Sequence, residues 1–416
     1  MSTHDLFEQR KNFYLEPSAA AKGAVATGVA VGLVTFVAGM WFGEHTRTWG
    51  ALLFNLFFFF SIALGGVAFG GMQDVVGAVW ARPIRRLHES FAAFLPVAAI
   101  LFVAFFLAIR FGWAGADGVY DWIKEPDLVH HYFGKHDWLQ RDFMLIRNAL
   151  AIGVILALSF WQLKQSLRRD LLLVSGDQAG ATKEGQESKL RLRHWSAPIL
   201  VTYALCFSML AFDLLMSLSY KWFSTLFAGW LFAIMMQTLL AMMMIFMFAY
   251  RKSNIGALWQ RQQFHDVGKM MHGFTIFFAY LTYAHILTYW YGNMPEETEY
   301  YLHRLHSPWI YIVIATPILG FIVPLYSLLV KSSKWTAGVA VPLSLMILLA
   351  QWMTNLIVVI PEVLEEGSHW GMPWIEVGLF CGVLGLFLGS VFRFGKRFPM
   401  VAIADPLLPD ALSTHH

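Results

Sequence analysis

Ten stretches of this chain are apolar almost without interruption, at roughly 21–43, 51–80, 89–111, 139–165, 196–219, 223–250, 266–291, 308–330, 336–360 and 372–392. Each is long enough for the ~20-residue helix that crosses about 30 Å of hydrocarbon. Hydrocarbon offers the backbone no hydrogen-bond partner, so such stretches satisfy their own peptide groups as helices. The pattern predicts an all-α polytopic membrane protein with ten transmembrane helices. A polar N-terminal segment (1–20) precedes a membrane domain (21–392), and a polar tail (393–416) follows it. Met1–Ala20 lacks an apolar core, so it is not expected to be a secretory leader.

Lys and Arg fall mostly on one side of these stretches. Arg82, Arg85, Arg86, Arg168, Arg169, Lys183, Arg251, Lys252, Arg261, Lys331, Lys334, Arg393 and Lys396 share one side. Arg47, Arg110, Lys124, Lys135, Arg141, Lys221 and Arg304 share the other. The positive-inside rule then puts both termini and the loop 171–194 in the cytoplasm, and the segments 112–138 and 292–307 outside. The loop contains GDQAGATKEGQES, small and polar enough to be mobile. The outer segments carry Trp, Tyr and His, and Glu296, Glu297 and Glu299, in a pattern suited to docking partners.

Polar residues inside the apolar stretches are where chemistry is expected, because ionisable groups are costly in hydrocarbon. The seventh stretch carries the most. At about 100° per residue, with His265 at zero, Lys269 falls near 40°, His272 near 340°, Tyr280 near 60° and Tyr283 at zero. This narrow protonatable stripe should face protein or water. Asp266 stands at its mouth, and His285 lies near its far end. In the fifth stretch Asp213 shares a face with Thr202, Cys206, Ser217 and Tyr220. It is expected either to be paired, for instance with Arg147, or to be protonated for proton or quinol chemistry. Depth sorts the remainder. Asp74, His265, Asp266, Lys269 and His272 lie towards the cytoplasm. Asn55, Arg147, Asp213, His285, Gln351, Thr354, Asn355 and Glu376 lie towards the outside. Two such clusters, joined by Tyr280 and Tyr283, have the layout of two proton half-channels. Glu376, near a helix end, could instead snorkel to the surface. Gly378, Gly382, Gly385 and Gly389 recur at spacings of four, three and four, which predicts close helix packing and no chemistry.

Composition narrows the class. Of 416 residues 57% are hydrophobic and 14% charged, and the net charge of +3 is too small to suggest nucleic acid. The two cysteines, Cys206 and Cys381, form no CxxC or similar cluster, so no iron–sulfur, zinc or covalent haem site is expected on this chain. Haem b is not expected either, since it needs facing histidines from different helices.

Two motifs carry a resemblance. FDLLMSLSYKWFSTLFAGW (Phe212–Trp230) resembles the junction of helices five and six in NrfD/PsrC-like integral membrane subunits. HDVGKMMHGFTIFFAYLTYAHILTYWYGNMPEETEY (His265–Tyr300) more closely resembles one branch, the F subunit of bacterial alternative complex III, a quinol:cytochrome c oxidoreductase. Ser219–Tyr220–Lys221 departs from relatives that carry an acidic residue and Pro-His there. The resemblance implies two four-helix bundles with flanking helices, in the bacterial inner membrane. It also implies a sister NrfD-like subunit that oxidises quinol, multihaem and monohaem cytochrome c subunits, an iron–sulfur subunit and in some cases a cytochrome oxidase. Haem c and iron–sulfur clusters would then sit in partners, with no cofactor bound by this chain, and membrane lipids around it.

Three readings remain open at this stage. The chain is a metal-free subunit offering proton half-channels; or it holds a menaquinone or ubiquinone itself, with Asp213, Arg147 or Asn355 at the head group; or it is a secondary transporter. A transporter would be expected to show inverted repeats and broken midplane helices.

Overall fold

A computed structural model describes residues 13–129, 134–364 and 370–413. All regular structure among them is helical. Ten helices are long and apolar enough to cross a membrane, as the hydropathy pattern predicts, giving the chain the character of a multi-pass membrane protein. In chain order they are α1 Ala19–Trp41, α2 His45–Val76, α3 Arg82–Phe111, α4 Arg141–Ser175, α5 Gln178–Leu218, α6 Phe227–Ala249, α7 Arg261–Gly292, α8 Trp309–Leu329, α9 Ala337–Val363 and α10 Trp374–Arg397.

Helix α2 is the axis of the fold. It is buried along almost its whole length, including the run Phe57–Phe58–Phe59–Phe60, and packs against α3, α5, α6, α9 and α10. An all-round apolar helix with Gly65, Gly66, Gly70 and Gly71 suits that position. A Cβ on Gly66 would stand 2.2 Å from the His88 carbonyl oxygen, so α3 approaches there only because the residue is glycine. The glycines of α10 do the same for α1. Gly32 and Gly382 face each other so closely that a Cβ on Gly32 would lie 2.4 Å from Gly382 Cα.

Two helices differ from expectation. The segment 171–194, predicted as a polar loop, is helical except at Gly176 and Asp177, where Gly176 adopts φ +96° between α4 and α5. Ion pairs of Glu184 with Arg191 and Arg168 hold this hairpin, and Asp177 caps α5 through Gly180. Helix α8 is interrupted by a π-helical turn over Ile318–Ile322, bounded by Pro317 and Pro324, where Pro nitrogens cannot donate to the ladder.

The segment from Trp113 to Val129 packs inward. Tyr120 Oη and Trp122 Nε1 donate to the Leu214 and Ser217 carbonyls, and Trp49 Nε1 donates to that of Ala114. These indoles are therefore structural clasps as well as aromatic surface. His130 and His131, which follow that segment, lie outside the described residues.

Candidate functional site

Three carboxylates placed at depth by the sequence are each held by arginine. Asp213 of α5 accepts from Arg147 Nη2 (2.7 Å) and Trp138 Nε1 (3.0 Å) at Oδ1, and from Arg147 Nε (2.6 Å) and Asn148 Nδ2 (2.9 Å) at Oδ2. Arg147 also stacks on Trp138, its guanidinium 4.0 Å from the ring centre. Of the two expectations for Asp213, the geometry matches the ion pair. Four donors to one carboxylate make a charge-assisted clamp that fixes α4 against α5. Beside it lies a cavity of about 80 Å³ lined in part by Trp138, Phe212, Ser217 and Trp222. That is enough for two or three waters and well below the roughly 300 Å³ at which small-molecule sites begin.

Glu376 does not snorkel. It is fully buried in a bidentate pair with Arg47 of α2 (2.8 and 3.0 Å), and Trp370 Nε1 donates to it at 3.2 Å. The signal was present in Arg47, an arginine near the end of an apolar helix with no nearby acid in sequence except Glu44. Asp74 accepts from Arg85 (2.6 and 2.8 Å) and Arg82 (3.0 Å). That pair belongs to a larger buried assembly in which Arg82, Arg85, Arg86 and Arg169 face Asp74, Glu89, Asp170 and Asp405, four charges against four. Asn355 is buried but donates back to the Gln351 carbonyl of its own helix, and no hydrogen bond joins it to Asp213 among the described residues.

The stripe of α7 lies elsewhere than a half-channel inside this chain requires. The helix buries Phe264, Val267, Gly268, Met271, Thr275, Phe278 and His285, a face centred roughly 140° round from the stripe on a 100° wheel. Tyr280 and Tyr283 are 63% and 62% exposed on the outer surface, so they do not join the two clusters within this chain. His265, Asp266 and His272 are half-buried at the basic end, and Lys269 is exposed and paired with Asp266 at 2.8 Å. His285 is buried against the Trp230 ring, with no protein partner for its Nε2.

Above His272, on the buried side of α7, lies a polar node. Thr275 Oγ1 accepts from Gln237 Nε2 (2.9 Å), which also donates to the Gly320 carbonyl freed by the π-turn (2.9 Å). Gln351 Nε2 donates to Gln237 Oε1 at 2.5 Å. Thr275 stands one turn above His272, about 4.5 Å along the axis. Thr275 Oγ1 donates in turn to the Met271 carbonyl (2.8 Å), while His272 Nδ1 and Gln351 Oε1 are buried with no protein partner. Gln237 is the residue that sequence reasoning missed, although a lone glutamine in FAIMMQTLLAMMM is a visible anomaly.

Among the described residues, no group of three or more His, Cys, Asp or Glu is placed to hold a metal ion. No protein-family model matches this chain, and no curated protein matches it.

Proposed function

We propose that this chain is a metal-free integral membrane subunit of a bacterial quinol-oxidising respiratory complex of the alternative complex III kind. In that reading it sits in the inner membrane with both termini cytoplasmic, its helices forming two four-helix bundles with flanking helices. Quinol oxidation, haem c and iron–sulfur clusters belong to the partner subunits, and this chain serves the passage of protons. The sequence motifs over Phe212–Trp230 and His265–Tyr300 give the family reading.

The observation that carries the proton role is the node Thr275–Gln237–Gln351, which begins one turn above His272 and leaves Gln351 Oε1 buried without a protein partner. Amides and hydroxyls can relay protons through bridging waters without carrying charge themselves, and His272 places an imidazole one turn below the node. The quinone-binding alternative is less well supported, because Asp213 is committed to four donors and its cavity is too small for a quinone ring.

The test uses the complex purified with its partners and reconstituted in vesicles. His272→Ala and Gln237→Leu should leave quinol oxidation within about twofold of wild type and lower the protons moved per electron. An unchanged stoichiometry in both variants would reduce the node to packing. Co-purification with no cytochrome or iron–sulfur subunit would remove the family reading itself.

A further inference from the structure

At the basic end of the fold, the turn between α8 and α9 carries Lys331, Lys334 and Trp335 against the first turns of α7. Lys334 is 6% exposed, and among the described residues its ammonium has no carboxylate partner and no hydrogen-bond acceptor. Its stem runs directly over Gly268, where a Cβ would stand 2.7 Å from Lys334 Cγ. Burial and a second cation, Lys269, pull its pKa below the usual lysine range. A lysine whose stem is packed down while its ammonium lies beside a second cation is an unfavourable arrangement that an anion would complete.

The surroundings repeat that deficit. The Arg261 guanidinium and the Lys331 ammonium lie 6.0 and 5.8 Å from the Trp335 ring, and the His265 ring lies 5.9 Å from it. Arg251 donates to the Trp335 carbonyl at 3.4 Å. The one carboxylate in this group, Asp266, is already engaged by Lys269 and Gln262, each at 2.8 Å. Arg251, Arg261, Lys269, Lys331 and Lys334 therefore face a single neutralised acid.

The shape of the ligand follows from what lies next along the helix. Below Lys269 the stripe of α7 turns apolar and aromatic, with Ile276 roughly 20° from His265 on the wheel and Tyr280 about three turns on from Lys269, both exposed. Leu329 and Val330, which lead into the Lys331–Lys334 turn, are exposed as well. A free inorganic anion would leave these surfaces uncovered, and an anion attached to hydrocarbon would cover them. Trp335 lies in the turn between two spanning-length helices, the kind of position in which indoles favour the headgroup level.

We propose that Lys334, Lys269, Arg261 and Lys331, arranged around Trp335, form a binding site for the phosphate of an anionic phospholipid, whose acyl chains lie along Ile276 and Tyr280 of α7 and along Leu329 and Val330 at the end of α8. A zwitterionic lipid would bring its own cation into a site that already holds five, so the site selects for net negative headgroups.

The experiment is native mass spectrometry of the purified full chain, or of the complex in which it purifies. Titrations use phosphatidylglycerol, phosphatidylcholine and inorganic phosphate. Wild type should retain phosphatidylglycerol over phosphatidylcholine, and each cation removed should weaken that retention about fivefold. Lys334→Met keeps the buried stem and removes the charge. Arg261→Gln and Lys331→Gln change surface residues alone, so they decide the matter if Lys334→Met does not fold. Equal retention of the two lipids, or retention unchanged in these variants, would overturn the proposal. So would a full effect from inorganic phosphate alone, which would make this a free-anion site. Loss of a partner subunit in the variants with lipid retention intact would make it a protein interface and likewise overturn it.

Discussion

A buried arginine–carboxylate pair can hold a fold together or store a proton, and the number of donors on the carboxylate separates the two roles. Asp213 has four. Replacing it with Asn removes the charge opposite Arg147 and leaves a guanidinium buried between Trp138 and Phe143 with no counter-ion. Breaking one side of such a pair costs about 3–5 kcal/mol, whereas replacing both sides with apolar groups is often neutral. Asp213→Asn should therefore lower the thermal midpoint in detergent by several degrees, and Arg147→Met with Asp213→Leu should recover most of the loss. If the single and double variants fall equally, the clamp is not what stabilises this end of the bundle. This residue was half-legible in the sequence. The pairing of Asp213 with Arg147 could be anticipated because both stand inside apolar stretches. Trp138 and Asn148 could not, because a donor's aim depends on how α4 meets α5.

Helices were legible where one physical rule dominates. Ten apolar stretches read as ten helices because hydrocarbon and self-satisfied backbone leave no other choice. The segment 171–194 misled because its small polar residues suggest a loop, while the ion pairs of Glu184 favour continued helix. The spacing of the α7 stripe is plain, yet spacing alone does not say which neighbours a face meets: here its basic end meets Trp335, while Tyr280 and Tyr283 stand exposed. Glycine spacing was more reliable, since close approach needs no partner chemistry. Gly378, Gly382 and Gly385 meet Thr35, Gly32 and Val29 or Val25 of α1. A Cβ on Gly382 would already stand 2.7 Å from Gly32 Cα. Gly382→Val should therefore force α1 away from α10. The expected readout is faster protease cleavage at the Gly43–Glu44 link, with α2 to α9 remaining resistant. Cleavage at the wild-type rate would show that α1 is held by something other than this glycine seam.

At the scale of the whole molecule, the first described residues, Phe13 to Leu15, meet the segment after α10 at the basic end, and both are tied to its centre. Leu15 N donates to the Gly395 carbonyl, Met400 N to that of Phe13, and Ala404 N to Asp170. Asp405 is the bolt, accepting from Arg169 at 2.6 Å and Arg82 at 3.4 Å. Burial alone would raise its pKa, but Arg169, Arg82 and Arg85 overcome that and hold it far below the ordinary carboxylate range. A depressed carboxylate contributes its stability above its unfolded pKa of about 3.9, and loses it as pH falls towards the folded value. The tail should then stay docked from neutral pH down to about pH 4. It should loosen only in stronger acid, with little effect of salt because the pair is buried. Asp405→Asn removes the bolt at every pH. Hydrogen exchange over 400–413 should rise in that variant at pH 7 to the level wild type reaches only in acid. Protection unchanged at pH 7 would mean that the apolar contacts of Val401, Ala402 and Leu408 hold the tail without Asp405.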